Sequence, residues 1–189
     1  MVIATTTCAQ EKVVHIGVLA YQGVASAFDE WQPLARYLSL SIDGWAFEIV
    51  PVTLVSAPEQ IGSNQLDFLI TNPGHYVTLA ESLGLSPLAT RERFSEEGIE
   101  GLMRYGTVIF VRADSGIRSL DGLKGGDVAA VSPEAFGGFQ LAWLEFSQQG
   151  IDPFSDFASL QFLGFPQDAI ISAVKNGDVD AGVIRSGLL

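Results

Sequence analysis

Short apolar runs rich in β-branched residues alternate with segments of helical period, and this alternation constrains the fold more than any other feature of the chain. VVHIGVLA (13–20) reads as a buried strand. In YQGVASAFDEWQPLARYLSLSI, which follows, Ala27, Trp31, Leu34, Ala35 and Leu38 recur at helical spacing. AFEIVPVTL (46–54) predicts a second strand. SAPEQIGSNQL predicts a helix with Ser56 as N-cap and Pro58 in its first turn. DFLITNPGHY predicts a third strand over 67–71 that stops at Asn72-Pro73-Gly74, with a helix over roughly 74–83 and an extended LSPLATRERF after it. A β-α-β-α-β order implies a mostly parallel sheet flanked by helices.

The second half repeats the class of pattern without repeating the sequence. RYGTVIFVRADS (104–115) predicts a long strand, SLDGLKG a short helix and turn, and DVAAVS another strand. A helix over about 137–149 stops at Gly150, ASLQFLGF predicts a strand, PQDAIISAVKNGD a helix ending at Gly177, and VDAGVIRSGLL a final strand. These form a second α/β lobe. The loop RERFSEEGIEGLMRYG (91–106), rich in charge and glycine, marks the expected boundary.

Composition narrows the partners. The chain has 189 residues, 48% of them hydrophobic, which suffices for a packed core and argues against disorder. A formal charge of -12 disfavours nucleic acid or an anionic membrane as the main partner, although a local field can still hold a small anion. The single cysteine, Cys8, excludes an intrachain disulfide framework and leaves the redox compartment open. No leucine-rich lipobox precedes Cys8 to mark lipid attachment, and MVIATTTCAQEK lacks the basic and apolar regions of an intact signal peptide. No apolar run approaches the roughly 20 residues that span a bilayer.

In α/β sheets ligands gather beyond the carboxyl ends of strands. The joints there are AYQG, TNPGHY, VSPEAFGG, FPQDA and VIRSG, and they hold most of the unusual residues. At SPEAFGGF, Gly137 and Gly138 let another group approach the backbone closely, and the first amides of the following helix are unpaired donors. Ordinary turn geometry is the competing reading of that glycine pair. At TNPGHY, Asn72, His75 and Tyr76 project from the loop or first helical turn; His75 offers a hydrogen bond and Tyr76 an aromatic wall, or both simply pack. Tyr21 follows the first strand, and Tyr105 sits at the lobe boundary. Arg185 closes the apolar run DAGVI, where a charge is costly unless paired or facing a cleft. Its guanidinium suits carboxylate, sulfonate or phosphate-like groups, and an ion pair with an acidic neighbour is the alternative.

Catalytic templates are missing. Cys8 lies in the tail, His15 within a strand and His75 in a loop, without metal-ligand spacing. GVASAF is no nucleophile elbow, Glu96-Glu97 falls in a solvated loop, and no phosphate loop or G-x-G-x-x-G follows a strand. Binding without chemistry is the simpler account, with no catalytic residue, metal or cofactor expected.

Seven segments in register, WQPLARYL, FLITNPGHYVTL, SPLATRER, YGTVIFVRADSGIRSLDGLKG, VAAVSPEAFGGFQLAW, GIDP and VDAGVIRSGLL, resemble the phosphonate/phosphite-binding-protein-like family of periplasmic solute-binding proteins. The similarity covers 16–189 and is stronger to the branch fused to membrane sensor histidine kinases of the tetrathionate-sensor type. It implies an α/β, two-lobe, type II periplasmic-binding-protein fold and an extracytoplasmic location. Its phosphonate transporters bind ligand with a hydroxyl-rich loop, at whose positions this chain has Ser132 but also Ala135, Phe136 and Gly137. A histidine usual in the next joint is matched by Gln167, and an acidic residue that receives a ligand amine is matched by Arg185. These departures point away from an aminoalkylphosphonate and toward another anion packed by Phe136 and Phe139.

The resulting expectations are a tail or signal-peptide remnant (1–12), lobe 1 (13–105), lobe 2 (106–184) and the start of a return to lobe 1 (185–189). That return is expected to be truncated, the alternative being a domain shorter than usual; truncation would uncover part of lobe 1 and favour either self-association, as in a homodimer, or modest stability. The expected function is an extracytoplasmic sensor domain of a two-component histidine kinase that binds a small anionic solute in an interlobe cleft and signals by lobe closure. The alternative is a free periplasmic solute-binding protein of an ABC transporter for an oxyanion or organic anion. A third reading, a binding-protein fold turned to catalysis, lacks a motif. The expected partners are the small anion and a membrane reached through segments outside this chain, with no nucleic acid.

Overall fold

The computed structural model of the protein describes residues 12–91 and 105–188. Cys8, Glu96-Glu97 and most of the expected boundary loop lie outside the described residues. Contacts group the chain into two compact units, Met1–Thr71 and Asn72–Leu189.

The first unit is a three-stranded parallel sheet in the order β2-β1-β3, with β1 at Lys12–Leu19, β2 at Trp45–Val52 and β3 at Phe68–Ile70. Alternation along β1 sends Val14, Ile16 and Val18 to one face, where they pack with Ile49 and with Ala35 of α1 (Val24–Ser41). Trp31 and Leu38, which shared the helical stripe in the sequence, close over the same cluster. The opposite face packs Val52 and Leu66 against Ala57 of α2 (Ser56–Gly62). Ser56 is not the N-cap of α2, as the sequence suggested. Val55 occupies that place, and the Ser56 hydroxyl instead accepts the Thr53 N–H at 2.9 Å.

The second unit begins with α3 (Pro73–Leu83) and contains a four-stranded sheet in the order β4-β7-β5-β6. Its strands are β4 at Thr107–Val111, β5 at Asp127–Ala130, β6 at Ser159–Phe162 and β7 at Ala181–Arg185. β5 runs parallel to β6 and β7, and β4 runs antiparallel to β7. α4 (Leu141–Gln148) and α5 (Asp168–Asn176) flank it. The core joins Val128, Ala130, Ala181 and Val183 of the sheet to Phe139, Ala142 and Phe146. Gly177 ends α5 at φ 80°, a left-handed conformation that glycine adopts without strain, so the stop read from sequence has its cause in backbone geometry.

Several expected strands are shorter. The long RYGTVIFVRADS strand is ordered as β only over Thr107–Val111, and a turn follows in which the Ser115 N–H donates to the Arg112 carbonyl at 3.1 Å. The last strand ends at Arg185.

Candidate functional site

Parallel pairing of β5 with β6 and β7 puts the carboxyl ends of three strands on one edge of the sheet, and the antiparallel β4 contributes its start there. Four expected site residues therefore share that edge by topology alone. Tyr105 precedes β4, Ser132 follows β5, Gln167 lies after β6 and Arg185 ends β7 opposite Thr107.

Local hydrogen bonds fix the edge. The Ser186 N–H donates to the Gly106 carbonyl at 2.9 Å, and the Gly106 N–H donates to the Ser186 hydroxyl at 3.1 Å. Gln167 is 4% exposed, and its Oε1 accepts the Arg185 main-chain N–H at 2.9 Å. That bond orients the amide, so its Nε2 end is left as the donor. The Ser132 hydroxyl is buried with no hydrogen-bond partner among the described residues. Buried hydroxyls are ordinarily paired, so a group of this kind calls for an explanation.

After Ser132 the chain makes a π turn, Phe136–Gln140, before α4. The Gln140 N–H donates to the Ala135 carbonyl at 3.1 Å, while the Gly138 carbonyl accepts the Val131 N–H at 3.2 Å. The turn is thus sewn to the end of β5 rather than wound as the first turn of an α-helix. Its leading amides have no preceding helical carbonyl to bind, and such turns recur at functional sites.

The glycine pair has a cause different from the one read in the sequence. A Cβ on Gly137 would meet Tyr105 Cε1 at 2.5 Å, Arg185 Cβ at 2.9 Å and the Gly106 carbonyl at 2.9 Å. A Cβ on Gly138 would run into Val131, with Ala135 Cβ at 3.3 Å. The clearance is filled by protein, and it brings Tyr105, Gly137 and Arg185 together. Phe139 also differs from expectation. It is 0% exposed and stacks on Trp143 with its edges to Phe154 and Phe162, so it belongs to the core and cannot wall a ligand. Phe136 remains at the edge, partly buried, with its ring 5.7 Å from that of Tyr105. Tyr105 is 42% exposed.

α3 adds the remaining candidates of this unit. Asn72 caps the helix by accepting the His75 N–H at 2.9 Å, and Pro73 fills the first position. His75 is 2% exposed and Tyr76 is half-buried. Gly74 lies against Phe136 and Gln140 of the π turn, which connects α3 to the same edge. Gln140 escaped the sequence reading because a glutamine within an apolar helical run carries no signal of its own. Tyr21 belongs to the first unit, where its hydroxyl donates to Glu30 at 3.3 Å at the end of β1.

No described group of three or more His, Cys, Asp or Glu side chains is arranged to hold a metal ion. Among the described residues no helix is long and apolar enough to cross a membrane.

A mixed α/β chain with mostly parallel sheets and polar residues gathered at strand ends defines a type II periplasmic binding-protein fold. Solved structures share it: PhnD1 from Prochlorococcus marinus (MIT 9301) in complex with methylphosphonate superposes with a TM-score of 0.72 at 19% identity, covering 92% of this chain and 63% of that one. A binding protein component of an ABC phosphonate transporter from Pseudomonas aeruginosa gives 0.68 at 15% identity, covering 93% and 58%. The family described as ABC transporter, phosphonate, periplasmic substrate-binding protein matches residues 16–189, and the chain belongs to that family. It is also 37% identical over 175 residues to the tetrathionate sensor histidine kinase TtrS of Salmonella typhimurium (strain LT2), covering 93% of this chain. The chain spans 29% of that relative's length.

Proposed function

We propose that the chain is the extracytoplasmic sensor domain of a two-component histidine kinase, that it binds a small anionic solute at the Ser132–Arg185 edge, and that ligand-driven lobe closure carries the signal. The observation that carries this reading is the 37% identity to a sensor kinase across nearly the whole chain. The edge supplies suitable chemistry. Arg185 brings a guanidinium, Ser132 an unspent buried hydroxyl, Gln167 an oriented amide, and the π turn a set of leading N–H groups. Tyr105 and Phe136 add an aromatic contact suited to a polarisable or partly apolar anion. Tetrathionate, named for the Salmonella relative, and other sulfur oxyanions are the first candidates. A signal requires that the ligand bind one conformation better than another.

The experiment is autophosphorylation of the full-length protein in membranes, with tetrathionate, thiosulfate, sulfate and methylphosphonate added singly. A severalfold change with one of them is expected. A kinase activity indifferent to all small anions, or a gene that encodes no kinase, contradicts the reading.

The family description and the methylphosphonate complex favour a second reading, a free solute-binding protein serving an ABC transporter. Gene sequence beyond Leu189 separates the two. An apolar span of about 20 residues followed by a kinase region belongs to the sensor. A stop shortly after a completed first lobe belongs to the carrier.

A further inference from the structure

We infer that Gly74 is a positioning residue of this site: its bare Cα is the seat that holds the start of α3 against the π turn. The inference rests on the ligand-binding reading and assigns a role that the strand ends alone do not supply. Asn72, His75 and Tyr76 do not follow any strand of the four-stranded sheet, so something must hold them near its carboxyl edge. The contact available to do so is narrow. A Cβ on Gly74 would overlap the Gln140 carboxamide oxygen and approach Phe136 Cβ at 3.0 Å and Cδ2 at 3.1 Å. Phe136 and Gln140 open and close the π turn, so both ends of the turn face the same glycine.

Gly74 is otherwise a poor choice. It lies in the first turn of α3 with a φ that any residue adopts, where alanine is in general the better helix former. A helix that only needed to fold would gain from the replacement. The Gln140 amide can swing aside, but Phe136 Cβ is one bond from the main chain and cannot yield without moving the turn. The turn's leading amides and the Tyr105–Phe136 ring contact would move with it.

Hydrogen exchange on the 189-residue chain tests the seat without a ligand. In Gly74→Ala the amides of Tyr76, Val77, Gln140 and Leu141 should exchange about tenfold faster, the scale of a modest overpacking cost, while Val128 and Val183 in the sheet stay as they are. Adding Gln140→Ala to the same chain removes only the overlap that can relax by itself, so exchange should stay within about threefold of that in Gly74→Ala while the Phe136 contact remains. Unchanged or slower exchange in Gly74→Ala, as helix propensity alone dictates, overturns the inference. Faster exchange that spreads to Val128 and Val183 overturns it too. Calorimetric titration of tetrathionate and of methylphosphonate adds the functional arm. Affinity about tenfold weaker in Gly74→Ala than in the parent supports the positioning role, and equal affinity overturns it. If the parent takes up neither probe while exchange follows the expected pattern, the seat stands and the ligand-binding reading falls.

Discussion

The side-chain oxygen of Gln167 accepts the main-chain N–H of Arg185 at 2.9 Å, joining the loop after β6 to the last residue of β7. Through this bond a neutral, buried amide fixes where the guanidinium-bearing residue leaves the sheet. Gln167→Leu leaves the Arg185 amide without its acceptor and should cost about 1–3 kcal/mol in urea denaturation. Gln167→Glu keeps an acceptor, should cost less, and should weaken anion uptake more than Gln167→Leu does, because it sets a carboxylate beside the seat.

Phe136 and Phe139 stand three residues apart and should behave oppositely. Phe139 fills the core with no exposed surface, so Phe139→Ala should destabilise by about 3–5 kcal/mol. Phe136→Ala, at the edge against Tyr105, should cost much less in stability and appear instead in ligand titrations. Denaturation curves for the two variants, paired with calorimetry, check both halves.

Ser132 offers a sharper separation of stability from binding. Its hydroxyl is buried and satisfies nothing among the described residues, so Ser132→Ala should leave the stability of the ligand-free protein within about 0.5 kcal/mol or raise it. If the hydroxyl serves a charged ligand, the same variant should bind that ligand about tenfold more weakly. A large loss of stability would mean that the hydroxyl is already engaged.

Lowering the pH should weaken one ion pair remote from the edge. The Arg112 Nε–H donates to Asp114 at 2.9 Å, and this hydrogen bond, with the charge behind it, holds the Asp114 carboxyl below its ordinary value. A depressed carboxylate stabilises the fold above its unfolded pKa and loses that contribution as pH falls through the folded one. Arg112→Met should therefore differ from the parent between about pH 5 and 7 and converge on it as the pH falls below the ordinary carboxylate range, by an amount small for so exposed a pair. Denaturation midpoints across that range provide the measurement.

Most of the framework was legible because its signals are local. Short apolar runs rich in β-branched residues marked the strands, the Trp31, Ala35 and Leu38 spacing marked α1, and Asn72-Pro73 and Gly177 marked helix ends whose backbone geometry demands them. The joints after β5, β6 and β7 could be read together because parallel pairing carries those carboxyl ends to one edge of their sheet. The π turn could not, since it depends on Val131 reaching the Gly138 carbonyl, a bond with no pattern in composition. The same dependence on tertiary packing hid the purpose of Gly137, whose clearance serves Tyr105 and Arg185, and the inward direction of Phe139. Gln140 became visible only when Gly74 was seen against it.

The account depends on Arg185 and its neighbours capturing a small anion. Thermal melting of the parent and of Arg185→Ala, each with tetrathionate, thiosulfate, sulfate and methylphosphonate across a concentration series, tests this most directly, since a ligand bound to the native state raises its apparent stability. The prediction is a saturable rise in Tm with at least one anion that is lost in Arg185→Ala and retained in Glu145→Ala, an exposed control on α4. Melting curves that no anion moves, or that move equally in Arg185→Ala and the parent, would contradict it.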